Sequence, residues 1–179
     1  MEIYLVRHTT PAVDKGICYG QTDLNITNSF DEEARTILKL ISTGSGVLYT
    51  SPLLRCVTLA GFIARSRSLP VIKDDRLKEM NFGEWEMQAW NDIENESLNR
   101  WMNDYENECC PQGESYKDLV NRVQSFLSEL KSSTHQSVVI VTHAGVIKAC
   151  HAILEHRSLK EAMKLKIEYG GVVRMEMAN

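Results

Sequence analysis

The sequence predicts a three-layer α/β/α sandwich with a mostly parallel central sheet. Three observations predict it. The runs Ile3-Tyr4-Leu5-Val6, Val47-Leu48-Tyr49-Thr50 and Val138-Val139-Ile140-Val141 are rich in β-formers and apolar almost throughout, as strands buried on both faces are. Segments with helical spacing lie between them, so strands and helices alternate. Near the C-terminal end, Leu165–Tyr169 and Val172–Met177 flank Gly170-Gly171 and read as a hairpin, which adds an antiparallel edge. A chain of 179 residues suits one domain with a real core, residues 1–179.

Each element has a local reason. The first strand ends at Arg7 and His8, and residues 9–27, with Pro11, Gly16 and Gly20, read as a loop. Asn28 or Ser29 can cap a helix through Ile41, with Glu32 and Glu33 where the macrodipole favours anions; Gly44 and Gly46 end it. Ser51-Pro52 after the second strand reads as an N-cap and a first-turn proline, opening a helix to about Arg65. Val71-Ile72 suits a short strand, and residues 73–97 read as irregular, with Phe82, Trp85 and Trp90 among carboxylates. A helix is expected over 97–106. Ser115 can cap another over 116–131, whose stripe is Leu119, Val123, Phe126, Leu127 and Leu130. The strand 137–142 leads to His143-Ala144-Gly145 and a helix to about Leu154, and a short helix is expected near 158–164.

Composition narrows the function. Hydrophobic residues make up 43% and charged residues 25%, as in an ordinary soluble globular chain. A net charge of −4 disfavours a nucleic-acid partner. The five cysteines show no C-x-x-C spacing, which disfavours a disulfide framework or zinc knuckle and fits a reducing cytoplasm. No run reaches membrane-span length, and the start has no basic n-region, so neither a membrane partner nor a signal peptide is expected. His151 and His156 are five apart and share no helix face, and His135 sits in a polar turn, so no metal or cofactor is expected. Oligomeric state is not legible.

Three strand ends carry candidate chemistry: Arg7 and His8, then Ser51 with Arg55 on the following helix, then Thr142 and His143. In a parallel sheet these ends share one edge, where ligands bind. Two histidines, two arginines and a helix N-terminus there make an anion site, because the guanidinium fork matches phosphate oxygens. Taken singly, each residue could equally be a solvated turn or face residue.

The same residues carry a resemblance. Leu5-Val6-Arg7-His8, Ser51-Pro52-Leu53-Leu54-Arg55, Leu77-Lys78-Glu79 through Glu86, Gly113-Glu114-Ser115 and Val141-Thr142-His143-Ala144-Gly145 resemble five motifs of the histidine phosphatase superfamily, in the family's order. The resemblance implies a metal-independent phosphatase acting on a small-molecule phosphate ester. His8 would be the nucleophile, Arg7, Arg55 and His143 the phosphate pocket, and Glu79 the acid and base, with Trp85 one ring that could desolvate it. Departures from the usual pattern are Thr9-Thr10-Pro11 for Gly-Glu-Thr, Asp14 for asparagine, Cys56 for alanine, Leu59 for threonine and Ala144 for glycine. A carboxylate at Asp14 would weaken phosphate binding unless it points away.

Gly16-Ile17-Cys18-Tyr19-Gly20-Gln21-Thr22-Asp23-Leu24 is similar to the α-ribazole-5′-phosphate phosphatase branch. Gln21 would offer the ester an amide, and Tyr19 could stack on a flat base. The alternatives are a sugar or glycerate phosphatase, a phosphoglycerate mutase, a phosphatase of phosphohistidine or phosphoserine proteins, and a non-catalytic binding module. Only 34 positions separate Glu79 from Gly113, which disfavours a mutase lid, and the intact five-residue set disfavours the binding module.

Overall fold

A computed structural model of the chain describes residues 1–42 and 46–178. The strands β1 (Glu2–Arg7), β2 (Val47–Thr50), β3 (Val71–Lys73), β4 (Ser137–Thr142) and β5 (Val172–Glu176) form one sheet in the order β3-β2-β4-β1-β5. The first four are mutually parallel, and β5 runs antiparallel to β1 at the edge. Around them lie α1 (Phe30–Leu40), α2 (Leu54–Arg67), α3 (Asn95–Asn103), α4 (Tyr116–Lys131), α5 (Ala144–Leu154) and α6 (Leu159–Met163).

Alternation along the strands builds two cores. Ile3, Leu5, Val138 and Ile140 pack with Leu119, Val123 and Phe126 of α4 and Val146 and Ile147 of α5. Tyr4, Val6, Val139 and Val141 point the other way, onto Ala34 and Ile37 of α1 and Leu59 and Ile63 of α2. A strand covered on both faces has no polar side to spare, which is why β1 and β4 are apolar at every central position. Each fully buried Leu or Ile among them contributes roughly 1.5–3 kcal/mol.

The register places the site. Arg7 lies opposite Thr142, and Thr50 opposite Val141. Beyond those pairs the ladder runs on: the His8 N–H donates to the Thr142 carbonyl at 3.0 Å, and the Ser51 N–H to that of Val141, also at 3.0 Å. His8, His143 and Ser51 therefore stand side by side past the carboxyl edge.

Ser115 caps α4 as predicted, in a capping box with Asp118. Four local expectations are corrected. Ser51-Pro52 does not open α2, which starts at Leu54 with its first N–H held by Asp23 Oδ1 at 2.7 Å. A carboxylate from a distant loop does the capping that the local sequence assigned to Ser51. The first helix ends at Leu40, where Ile41 turns extended, ahead of Gly46; Gly44 lies outside the described residues. The helix expected over 97–106 runs from Asn95 to Asn103. The hairpin's first arm, Leu165–Tyr169, is not a strand. Its backbone is taken up elsewhere: the Ile167 carbonyl accepts Arg7 Nη1 at 2.5 Å, and the Gly170 N–H donates to the His8 carbonyl at 3.1 Å.

Candidate active site

His8 is 1% exposed at the floor of a cleft of about 1120 Å³. Its Nδ1 lies 2.7 Å from the carbonyl oxygen of Thr9. A carbonyl only accepts, so Nδ1 carries the proton of that bond and the neutral ring keeps its lone pair on Nε2. Burial, then Arg55, lower the His8 pKa to about 3, with Arg7 adding to the effect and the Thr9 carbonyl opposing it. The imidazole is thus neutral, with one nitrogen free to attack.

Arg7 and Arg55 surround it with positive charge. Arg55 is 0% exposed, yet its guanidinium meets only carbonyl oxygens, of Thr22 at 2.9 Å and Gly20 at 2.6 Å. Arg7 donates to the Ile167 carbonyl and lies 3.8 Å from the Tyr169 ring centroid. The Nε–H of each arginine is buried without a partner, and among the described residues neither arginine is ion-paired with a carboxylate. Arg55 is buried and Arg7 half-buried, and cations with buried, spare donors are costly unless an anion completes them. His143 stands beside His8, ring centroids 5.1 Å apart, with its Nε2 2.9 Å from Ser51 Oγ. It is fully buried, and burial with the nearby cationic groups holds its pKa well below 6.5. Cys56, one of the departures, sits 3.4 Å from His143 Nε2 and 3.6 Å from the Thr142 carbonyl; burial pushes its thiol up, so it stays neutral.

Glu79 lines the same cleft. Its Oε2 accepts the Gly145 N–H at the start of α5 at 3.1 Å, and its Oε1 accepts the Met80 N–H at 2.9 Å. This close approach requires glycine at 145, since a Cβ there would lie 2.2 Å from Glu79 Oε1. Arg122 of α4 holds the loop from behind. It donates to the carbonyls of Arg76, Lys78 and Glu79 at 2.7, 2.6 and 2.9 Å, and pairs with Glu114 at 2.9 Å. Trp85 does not line the cleft with Glu79. It is buried against Trp90 and Trp101, while Phe82 and Trp90 line the cleft.

Tyr19 lines the cleft, with Arg55 5.4 Å from its ring centroid and its hydroxyl 2.5 Å from that of Tyr169. The Gln21 amide instead turns inward, donating to the Glu79 carbonyl at 3.1 Å. Thr9 is buried with a partnerless hydroxyl, and Asp14 is exposed on the cleft's rim. Sequence reasoning missed Tyr169, which touches Arg7, His8 and Tyr19. The aromatic preceding Gly170-Gly171 was its only signal, and that dipeptide reads first as a turn. Among the described residues, no three His, Cys, Asp or Glu side chains gather in metal-binding geometry. No helix among them is long and apolar enough to cross a membrane.

A family model described as histidine phosphatase superfamily (branch 1) matches residues 3–179. The chain is 29% identical over 180 residues to putative phosphoserine phosphatase 2 of Hydrogenobacter thermophilus, covering 98% of this chain and 89% of that protein. It is 28% identical over 176 residues to adenosylcobalamin/alpha-ribazole phosphatase of Escherichia coli, covering 95% and 87%. The crystal structure of the alpha-ribazole phosphatase from Shigella flexneri superposes with a TM-score of 0.90 at 26% identity, covering 99% of this chain and 91% of that one.

Proposed function

The chain belongs to the histidine phosphatase superfamily and is a phosphoric monoester hydrolase, and from that premise we propose that it works through a phosphohistidine on His8. The observation that carries this reading is the pair of buried, partnerless guanidinium N–H groups beside an imidazole whose Nε2 is free. In the first step Nε2 attacks phosphorus, the P–O bond to the alcohol breaks, and protonated Glu79 gives its proton to the leaving alkoxide. In the second, water attacks phosphorus, Glu79 takes the water's proton, and the P–N bond breaks to release phosphate. Arg7, Arg55 and His143 stabilise charge on the transferring phosphoryl group. The Thr9 carbonyl keeps the Nδ1 proton throughout, so the attacking nitrogen never changes.

For the substrate we propose α-ribazole 5′-phosphate. Alpha-ribazole phosphatases stand among the relatives in both sequence and structure, and Tyr19 of the segment similar to that branch faces the cleft. The cleft, about 1120 Å³ and open to solvent, has room for a nucleotide-sized ester beyond the phosphate. In this reading Gln21 supports the acid loop rather than the ligand, because its amide donates to the Glu79 carbonyl. Phosphoserine is the second reading: a relative bears that name, and Asp14 and Lys15 offer opposite charges on the rim.

Two measurements test this. Rapid acid quench with a labelled ester should trap phosphoprotein in the wild type and in His135→Ala, but not in His8→Ala; label surviving in His8→Ala removes the mechanism. A turnover panel of α-ribazole 5′-phosphate, phosphoserine, sugar phosphates, a phosphopeptide and 3-phosphoglycerate with its bisphosphate ranks the substrates. A higher kcat/KM for phosphoserine than for the ribazole ester overturns the substrate assignment and leaves the phosphohistidine chemistry standing.

A further inference from the structure

Past Glu79 the cleft wall changes character. Val13 and Ile17 from one loop and Phe82, Met87 and Trp90 from another all line the cavity that contains His8. The two loops are zipped together by backbone bonds: Cys18 N–H to the Gln88 carbonyl at 2.8 Å, Met87 N–H to the Cys18 carbonyl at 2.8 Å, and Trp90 N–H to the Gly16 carbonyl at 2.9 Å. Trp90 is fixed from behind by aromatic neighbours, perpendicular to Phe82 at 5.5 Å and stacked on Trp101 at 6.4 Å. It presents a preset surface.

Met87 is the unusual member. Its φ is +67°, in the left-handed region that side chains with a Cβ avoid, and the residue is 50% exposed. A glycine would sit there without strain. The bonds from Met87 N–H and to the Gln88 carbonyl hold the backbone in this shape from both sides, the over-determination that such strain needs to persist. The strain holds a flexible, polarizable thioether on the wall of the cleft that the Trp90 indole also lines. Thioethers and indoles both favour contact with aromatic rings.

We propose that Met87, Trp90, Phe82, Ile17 and Val13 form a leaving-group subsite for a flat, uncharged aromatic ring, joined through a sugar to the phosphate at His8. The subsite rests on the reading of the His8 cleft as the phosphate site, and it supplies what separates a benzimidazole nucleotide from a bare sugar phosphate. The ring slots against Trp90, and Met87 closes over its exposed face. Binding energy gained there is common to ground and transition states, so it enters through KM.

The test compares α-ribazole 5′-phosphate with ribose 5-phosphate, which share phosphate and sugar and differ by the ring. The wild type should favour the ring-bearing ester in kcat/KM by on the order of 100-fold. Met87→Gly should cut that ratio by about tenfold through the KM of the ring-bearing ester, while Met87→Leu keeps most of it. The melting temperature of Met87→Gly should equal or exceed the wild type's, because glycine relieves the backbone; this separates lost contact from lost fold. A wild-type ratio near one, or a ratio unmoved by Met87→Gly, overturns the subsite. Titrating His8→Ala with the unphosphorylated nucleoside α-ribazole, followed by tryptophan fluorescence, makes the two readings separable. Quenching that Met87→Gly weakens, with a wild type that turns over no ester, keeps the subsite and removes the phosphatase reading. Wild-type turnover without any quenching does the reverse.

Discussion

A neutral His8 in the folded chain has a consequence for stability that does not depend on any substrate. Unfolded, this histidine takes up a proton as the pH falls through about 6.5. Folded, it refuses the proton until the pH nears 3, because burial and the Arg55 and Arg7 charges disfavour the imidazolium. Above pH 6.5 neither state binds the proton, and His8 has no effect. Below it the unfolded state alone gains, and the folded state loses about 1.4 kcal/mol per pH unit. Carried down to pH 3, the loss reaches roughly 5 kcal/mol, comparable to the whole stability of many domains. His8→Gln removes the titrating group and leaves His143 in place. Urea unfolding of both proteins at half-unit steps from pH 7.5 to 4.5 isolates the His8 contribution, because the carboxylates cancel in the difference. The wild type should lose about 2.5 kcal/mol more than His8→Gln between pH 6.5 and 4.5. Parallel curves would mean that His8 accepts its proton as easily folded as unfolded, and the neutral nucleophile would have to be abandoned.

Glu79→Gln should slow an alkyl phosphate about 10²–10⁴-fold and p-nitrophenyl phosphate far less, since nitrophenolate leaves without a proton; equal losses on both esters take the acid role away. Gly145→Ala should reproduce a weaker form of that pattern, because its Cβ would displace the carboxyl that now touches Gly145, and the same ester pair reads it. Asp23→Ala should destabilise the fold by about 1 kcal/mol, the worth of a helix N-cap, measured by thermal unfolding. Turnover should persist in excess EDTA and fall with vanadate, an oxyanion the arginine pocket would accept; activity restored only by a divalent ion contradicts this.

Much of the fold is local in origin. The strands β1, β2 and β4 are legible because burial on both faces leaves their central residues no polar option, and α4 is legible because its stripe and Ser115 cap are written within sixteen residues. Five of the site residues were readable for a related reason. Arg7, His8, Ser51 and His143 follow apolar runs directly, and Arg55 lies in the first turn of α2, just past Ser51, so their positions are set by strand ends.

What tertiary structure decided is every contact whose partners are far apart in sequence. Asp23 caps α2 from 31 residues away, Glu79 meets Gly145 from 66, and Tyr19 meets Tyr169 from 150. The hairpin expectation failed for the same reason. Alternation and a Gly-Gly turn are local, but residues 167–171 bond to Arg7 and His8 at the end of β1 instead of laying a strand along the outer side of β5. The sequence by itself determined which residues reach the carboxyl edge of the sheet, because strand burial is a property of each run. It did not determine which nitrogen of His8 is free, what presses against Glu79, or which tyrosine covers Arg7. Those depend on backbone carbonyls and close approaches that exist only once the loops have packed.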